Sequence, residues 1–245
     1  MSSAPSVLYP LTLPALLDYI LTTQSGTAPT TLIICSSRDT FLHDLVHLLQ
    51  QGDDEDQSQV QQGSLQQLVT PTLHNLLTAR HVKLAFCGSV QALLAFLTAY
   101  GRPDTEHLVD VEEGARLLLV NPLALHASTP SFSAQGLSRT FAAATETALR
   151  TRVVLQVVEC QGMRRSVEED SDQDTDMANG DEQPNIAEED PWEQELSILN
   201  VSARRFGSGT ADRAWAGRTV KAKRVAGRWF HFHKLDSHHV REAPG

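Results

Sequence analysis

The stretch TLIICSSRDTFLHDLVHLL, residues 31–49, decides the fold class of this 245-residue chain. Its first five residues form a continuous, partly β-branched apolar run, which is typical of a strand buried on both faces of a parallel sheet. The apolar residues that follow, among them Phe41, Leu45 and Leu48, recur at helical spacing. The stretch therefore predicts one β-strand followed by one α-helix.

The same strand-and-helix pattern recurs along the chain. VKLAFC at 82–87 precedes the helical pattern VQALLAFLTAY, for which Ser89 is the predicted cap. RLLLVN at 116–121 is a third buried strand, and VVLQVVE at 153–159 is a fourth. Four apolar strands with helices between them predict an α/β fold with a mainly parallel sheet and helices on both faces.

Two further helix starts follow from capping signals. Thr12 with Pro14 in the first turn predicts the start of a short helix over ALLDYILTT. Ser133 or Ser131 is positioned to cap AQGLSRTFAAATETALR, the helix ahead of the fourth strand.

Three extended runs without helical patterns end the chain: LSILNVS at 196–202, GRTVKAKRV at 217–225 and RWFHFH at 228–233. They predict an antiparallel extension of the sheet. With 225–227 as a three-residue hairpin loop, one face of the last two strands carries Lys221, Lys223, Trp229 and His231. Phe230 and Phe232 then face inward.

Charge divides the chain into segments. The formal net charge is −10, yet residues 167–195 hold 13 acidic residues and no basic one, whereas 196–245 hold 10 basic and 3 acidic residues. The acidic tract has too few apolar residues to offset the entropy of ordering, which predicts disorder. The predicted segments are an N-terminal helix and linker (1–29), the α/β core (30–162), an acidic disordered insertion (163–195), a basic β extension of the same domain (196–235) and a tail (236–245).

Several functional classes are excluded by what the sequence lacks. Cys35, Cys87 and Cys160 are widely spaced and close apolar strands, which argues against a disulfide framework, a paired metal site and a reactive nucleophile. No apolar stretch approaches the roughly 18 residues of a membrane span, and no secretory signal or basic transit peptide is readable. No G-x-x-x-x-G-K-[ST] loop, G-x-G-x-x-G fingerprint after a strand or G-x-S-x-G elbow occurs. We therefore predict no enzyme activity, no cofactor and no metal, and a nuclear location with the cytoplasm as the alternative.

The positive functional signal lies in the basic C-terminal strands. Lys and Arg neutralise phosphates and exposed aromatic rings stack on bases, so single-stranded nucleic acid is one predicted ligand and a protein partner is the other. The alternative is an edge ribbon kept soluble by its charge. The candidate binding residues are Arg204, Arg205, Arg218, Lys221, Lys223 and Trp229.

The order of these elements, from TLIICSSRDTFLHDLVHLL through VKLAFCGSVQALLAFLTAYG and RLLLVNPLALH to GRTVKAKRVAGRWFHF, resembles the RecA-like ATPase core. More narrowly, it is similar to the small recombinase paralogues of Shu-type complexes, which partner SWIM-domain proteins in homologous recombination. The family's first strand leads into the Walker A loop, a place that the resemblance gives to residues 36–40, without the glycines or the lysine. Asn121 stands where the family's magnesium-holding Asp would be.

The resemblance implies a pseudo-ATPase: a non-catalytic accessory subunit in DNA repair that works in a hetero-oligomer with a SWIM-domain or recombinase-paralogue partner. Elongator's RecA-like accessory subunits, which act in tRNA modification, share the fold and the loss of Walker residues and are the alternative. An enzyme of another kind would require a polar pocket at the strand ends.

Overall fold

Six parallel strands form the central sheet of the computed structural model, which describes residues 4–24, 27–54, 70, 72–101, 114–161, 190–199 and 218–235. In the order in which they lie across the sheet, the strands are β3 (Val82–Phe86), β2 (Thr30–Ile34), β4 (Arg116–Val120), β5 (Val154–Gln161), β1 (Ser6–Thr12) and β8 (His231–Lys234). Two short strands, β6 (Glu195–Ser197) and β7 (Thr219–Lys221), pair antiparallel in a separate sheet near the C-terminus. The predicted α/β class, with a parallel sheet and an antiparallel C-terminal part, is confirmed.

Helices cover both faces of the sheet. They are α1 (Leu13–Thr23), α2 (Arg38–Asp54), α3 (Leu73–Ala79), α4 (Val90–Ala99), α5 (Pro122–Ala127), α6 (Ala134–Thr151) and α7 (Ala222–Ala226), with a 3-10 turn at Pro191–Glu193. α1 and α2 pack on one face, where α3 contacts α1, and α4 to α7 pack on the other. Strand β4 lies between these layers, and Leu117, Leu118 and Leu119 are fully buried. This burial is the physical reason for its unbroken apolar run.

Strand β1 was not predicted, since the segment 1–29 read as a helix and a linker. It lies inside the sheet, parallel to β5 on one side and to β8 on the other. Pro10 lacks the N–H that a strand donates, and the register with β5 shifts between Leu8 and Leu11. Because of Pro10, the sequence of this segment does not resemble a strand, although pairing with distant residues stabilises one there. The helix start predicted next to it is confirmed, because Thr12 Oγ1 accepts a hydrogen bond from Ala15 N at 3.4 Å.

The predicted C-terminal hairpin is wrong. Residues 222–226 form helix α7, and β8 lies parallel beside β1 rather than antiparallel to β7. Ala222, Lys223, Arg224 and Ala226 are good helix formers, and the helix crosses from the small sheet to the edge of the central one. The inward prediction for Phe230 is confirmed, since it is buried against Phe141 with ring centroids 5.1 Å apart.

The end of the predicted disordered insertion is folded. Asp190 caps the 3-10 turn by accepting from Trp192 N at 3.0 Å, and Trp192 is 1% exposed. Its indole packs edge-on against Phe232 with centroids 5.4 Å apart. One large apolar side chain thus anchors residues that composition alone placed in a solvated tract. Residues 163–189 and the tail 236–245 lie outside the described residues.

Candidate functional site

The carboxyl ends of parallel strands are where an α/β sheet ordinarily holds a ligand. The first strand that the structure describes is β1, not β2, so the junction of β1 with α1 is considered together with residues 36–40, which follow β2. β1 ends at Thr12 and α1 begins at Leu13. A phosphate-binding loop needs a run of free backbone N–H groups between strand and helix. No residue separates the two elements here.

The junction after β2 is closed by a side chain. Ser37 Oγ accepts a hydrogen bond from Thr40 N at 3.1 Å and lies 2.8 Å from Thr40 Oγ1. These contacts satisfy a backbone N–H at the start of α2, the group that an anion would otherwise take. Residues 36–40 therefore form an ordinary helix cap.

The junction after β4 is held by Asn121. It adopts the left-handed conformation, with φ of 59°, which Asn tolerates better than most residues. Its side-chain Oδ1 accepts from Cys160 N at 2.7 Å, and its backbone N–H donates to Val158 O at 2.8 Å. Asn121 thus fastens β4 to β5.

A buried carboxylate closes the start of α5. Glu159 in β5 is 4% exposed; its Oε2 accepts from Leu123 N at 2.9 Å and its Oε1 from Ala124 N at 2.8 Å. Sequence reasoning missed this contact. The available signal was a charged residue inside the apolar run VVLQVVEC, because buried carboxylates are rare without partners.

The three cysteines are buried, as their strand-end positions predicted. Desolvation raises the pKa of the Cys35 thiol well above its ordinary value, with the Glu159 carboxylate as the next cause. The same two causes raise the pKa of Cys160, and burial raises that of Cys87. A raised pKa keeps the thiol protonated, and the thiol is the unreactive form.

The second candidate region is the C-terminal module, defined here as residues 190–199 and 218–235. It contains the 3-10 turn, the β6–β7 pair, α7 and β8. Its backbone is tied together where Ala222 N donates to Gln194 O at 2.9 Å. Trp192, Leu196 and Ala222 are buried in the larger hydrophobic cluster of the domain. The module is therefore part of the same core rather than an appended ribbon.

The structure brings Lys221 and Lys223 together, and both lysines form ion pairs with one carboxylate, that of Glu193. Lys221 Nζ lies 2.7 Å from Glu193 Oε2, and Lys223 Nζ lies 3.3 Å from Glu193 Oε1. The hydrogen bond from Lys221 is the largest cause that lowers the pKa of Glu193, and the reciprocal bond raises the pKa of Lys221. The predicted basic face thus carries its own counter-charge.

The remaining predicted site residues have different surroundings. Arg218 is exposed next to β7, and Trp229 is half-buried against the core, with an indole nitrogen that has no hydrogen-bond partner among the described residues. Arg204 and Arg205 lie outside the described part of the chain. The predicted hairpin does not form. The prediction that Lys221, Lys223, Trp229 and His231 share one strand face, which depended on the hairpin register, is therefore wrong as well.

Further exposed cations belong to the module. Arg224 lies on α7, Arg228 in the turn after it and Lys234 at the end of β8; within the described residues none of the three makes an ion pair. The sequence showed these residues as basic but did not indicate which were paired.

The described residues hold no group of three or more His, Cys, Asp and Glu side chains able to bind a metal ion. Within the same ranges, no helix has the length and apolar character to cross a bilayer. Neither the comparison with protein-family models nor the comparison with curated proteins found a match to the chain.

Proposed function

We propose that the chain is a non-catalytic RecA-like accessory subunit that supports homologous recombination and DNA repair in the nucleus. It acts in a hetero-oligomer with a SWIM-domain or recombinase-paralogue partner and contacts single-stranded DNA through the C-terminal module. The observation that carries the non-catalytic part is the carboxyl edge of the sheet. There the β1–α1 junction has no loop, Ser37 caps α2 and Glu159 caps α5.

The charge of the C-terminal module supports a polyanionic ligand. Arg224, Arg228 and Lys234 are exposed and unpaired among the described residues. Such side chains bind phosphates by releasing the condensed counterions of the nucleic acid. Half-buried Trp229 adds an aromatic ring of the kind on which bases stack.

The opposite end of the sheet supports a protein partner. Six large apolar side chains there are exposed, and they belong to α2, α3 and β3: Leu42, Val46, Leu73, Leu76, Leu77 and Leu84. On α3 they follow the spacing i, i+3, i+4, which puts them on one helical stripe. Exposed apolar surface of this kind is typical of protein contacts.

Affinity purification of the tagged full chain, with identification of the co-purifying proteins, tests the partner. A SWIM-domain protein or recombinase paralogue is the expected result. Recovery of Elongator subunits would replace this proposal with the tRNA-modification alternative.

Binding to a labelled oligothymidylate, measured against salt, tests the nucleic-acid contact. Arg224→Glu with Arg228→Glu should weaken binding and flatten the slope of log affinity on log salt by about 0.7 per lost phosphate contact. Arg80→Glu with Lys83→Glu, at the β3 end of the sheet, is the matched control and should have a smaller effect. Equal effects of the two pairs would show that only net charge matters.

A further inference from the structure

Two ammonium groups of the C-terminal module converge on one anion. Lys221 Nζ and Lys223 Nζ each contact a different oxygen of the Glu193 carboxylate, at 2.7 Å and 3.3 Å. Their backbones are therefore placed so that both lysines reach a single negatively charged group with two acceptor oxygens. That arrangement is a small anion site whose present ligand is a side chain of the same protein.

The surrounding residues hold this arrangement in place. Lys223 Nζ lies 5.5 Å from the ring centroid of Tyr9 and 5.7 Å from that of Phe232, in cation–π contact with both. Glu193 follows Trp192, whose burial fixes the 3-10 turn. The site is thus built on the core on both sides, although its charged ends reach solvent: the exposed fractions are 59% for Lys221, 41% for Lys223 and 38% for Glu193.

We propose that Lys221 and Lys223 form a phosphate subsite, in which Glu193 is an internal competitor that a phosphodiester of single-stranded nucleic acid displaces. The ligand class rests on the proposed function. A phosphodiester matches the carboxylate in carrying one negative charge and two acceptor oxygens. Ion pairs exposed to this degree are weak, so a ligand that makes several phosphate contacts at once can replace Glu193. The half-buried rings of Tyr9 and Phe232 lie beside the subsite for base contact.

The test substitutes Glu193→Gln, which keeps the shape of the side chain and removes its charge. Binding of a labelled oligothymidylate should tighten several-fold relative to the parent chain. The slope of log affinity on log salt should change by less than about 0.7, the value for one phosphate contact on a single strand, because both chains contact the same phosphate once Glu193 is displaced. The matched control is Glu195→Gln, which removes the same charge two residues away. Glu195 lies opposite Lys221 in the β6–β7 pair, but its hydrogen bond is with Thr219 at 2.8 Å rather than with a lysine. It should change affinity much less.

A second variant separates the site from general electrostatics. Adding Lys221→Gln and Lys223→Gln to the Glu193→Gln chain should abolish the gain, while thermal unfolding shows that each variant remains folded. The inference is overturned if Glu193→Gln binds no more tightly than the parent, if Glu195→Gln tightens binding equally, or if the gain survives loss of both lysines. The proposed function is tested separately. It fails if affinity purification of the full chain recovers no SWIM-domain protein or recombinase paralogue.

Discussion

Two glutamates of this molecule each accept from two donors, and they differ in every other respect. Glu159 is 4% exposed and accepts from two backbone N–H groups at the start of α5. Glu193 is 38% exposed and takes the ammonium groups of two long side chains. Backbone donors cannot move away without unfolding a helix turn, whereas lysine side chains exchange partners freely. The comparison teaches that the junction after β4 is closed as part of the fold, whereas the lysines of the C-terminal module are paired through a contact that a ligand can replace.

Removing Glu159 should therefore cost the most. Glu159→Ala leaves the N–H groups of Leu123 and Ala124 without their acceptor in a buried setting. An unsatisfied buried donor costs about 1 to 3 kcal/mol, so the free energy of unfolding should fall by roughly 2 to 6 kcal/mol for the two. Denaturant unfolding measures this.

Glu193→Ala is the matched variant on the other side of the comparison. Its melting temperature should stay close to that of the parent, because exposed ion pairs contribute little to stability. Similar losses from the two substitutions would remove the distinction between a structural and an exchangeable carboxylate.

The next largest loss of stability is expected from substituting Trp192, because this residue anchors the segment that carries Glu193. Trp192→Ala should lower the free energy of unfolding by about 3 to 5 kcal/mol through the cavity left beside Phe232. Deleting residues 163–189, which keeps Trp192, should leave the melting temperature nearly unchanged since that tract is poor in apolar residues. A Trp192→Ala protein as stable as the parent would show that the module is not part of the core.

A smaller effect is expected from His126 in α5, the helix that Glu159 caps. The ring is fully buried, with Nε2 2.9 Å from Thr140 Oγ1 and Nδ1 3.2 Å from Ser131 O. Desolvation lowers its pKa below the ordinary 6.5, against a smaller raising effect of the hydrogen bond to Ser131. As the pH falls below 6.5, the unfolded chain takes up the proton before the folded one, so folding loses stability.

The measurement is the melting temperature as a function of pH in the parent and in His126→Gln. The melting temperature of the parent should fall more than that of His126→Gln as the pH is lowered from 7 to the pKa of His126 in the folded state. The other histidines contribute equally to both curves, so only the difference between the curves reports His126. Identical pH profiles would contradict a neutral, buried ring.

The elements predicted correctly are those whose signal is local. β2, β4 and β5 are apolar runs because sheet and helices bury both of their faces, whereas the edge strand β3 leaves Lys83 and Leu84 exposed. Thr12, Ser89 and Ser133 cap helices through contacts three residues away. β1 was not recognised, and the extended run of β8 was given the wrong partner, since the place of both strands in the sheet is set by pairing with residues more than 140 positions distant. Pro10 in β1 and the polar residues of β8 give no local sequence signal of such pairing.

The candidate site shows the same division. The basic residues were visible in the sequence, but Glu193 lies 28 residues from Lys221, in a tract whose composition predicts disorder. Only the lone Trp192 indicated that the tract ends in ordered structure. Glu159 and Asn121 were equally hidden, because their roles depend on the backbone N–H groups that β4, β5 and α5 bring together.

The most direct test of the closed carboxyl edge is the response of the purified full chain to ATP with magnesium. We expect no turnover above that of buffer and no ATP-dependent rise in melting temperature, because a ligand that binds the folded state would raise it and the junctions after β1, β2 and β4 leave no phosphate cradle. ATP turnover that is lost on Ser37→Ala or Asn121→Ala, or thermal stabilisation that grows with ATP concentration, would contradict the account.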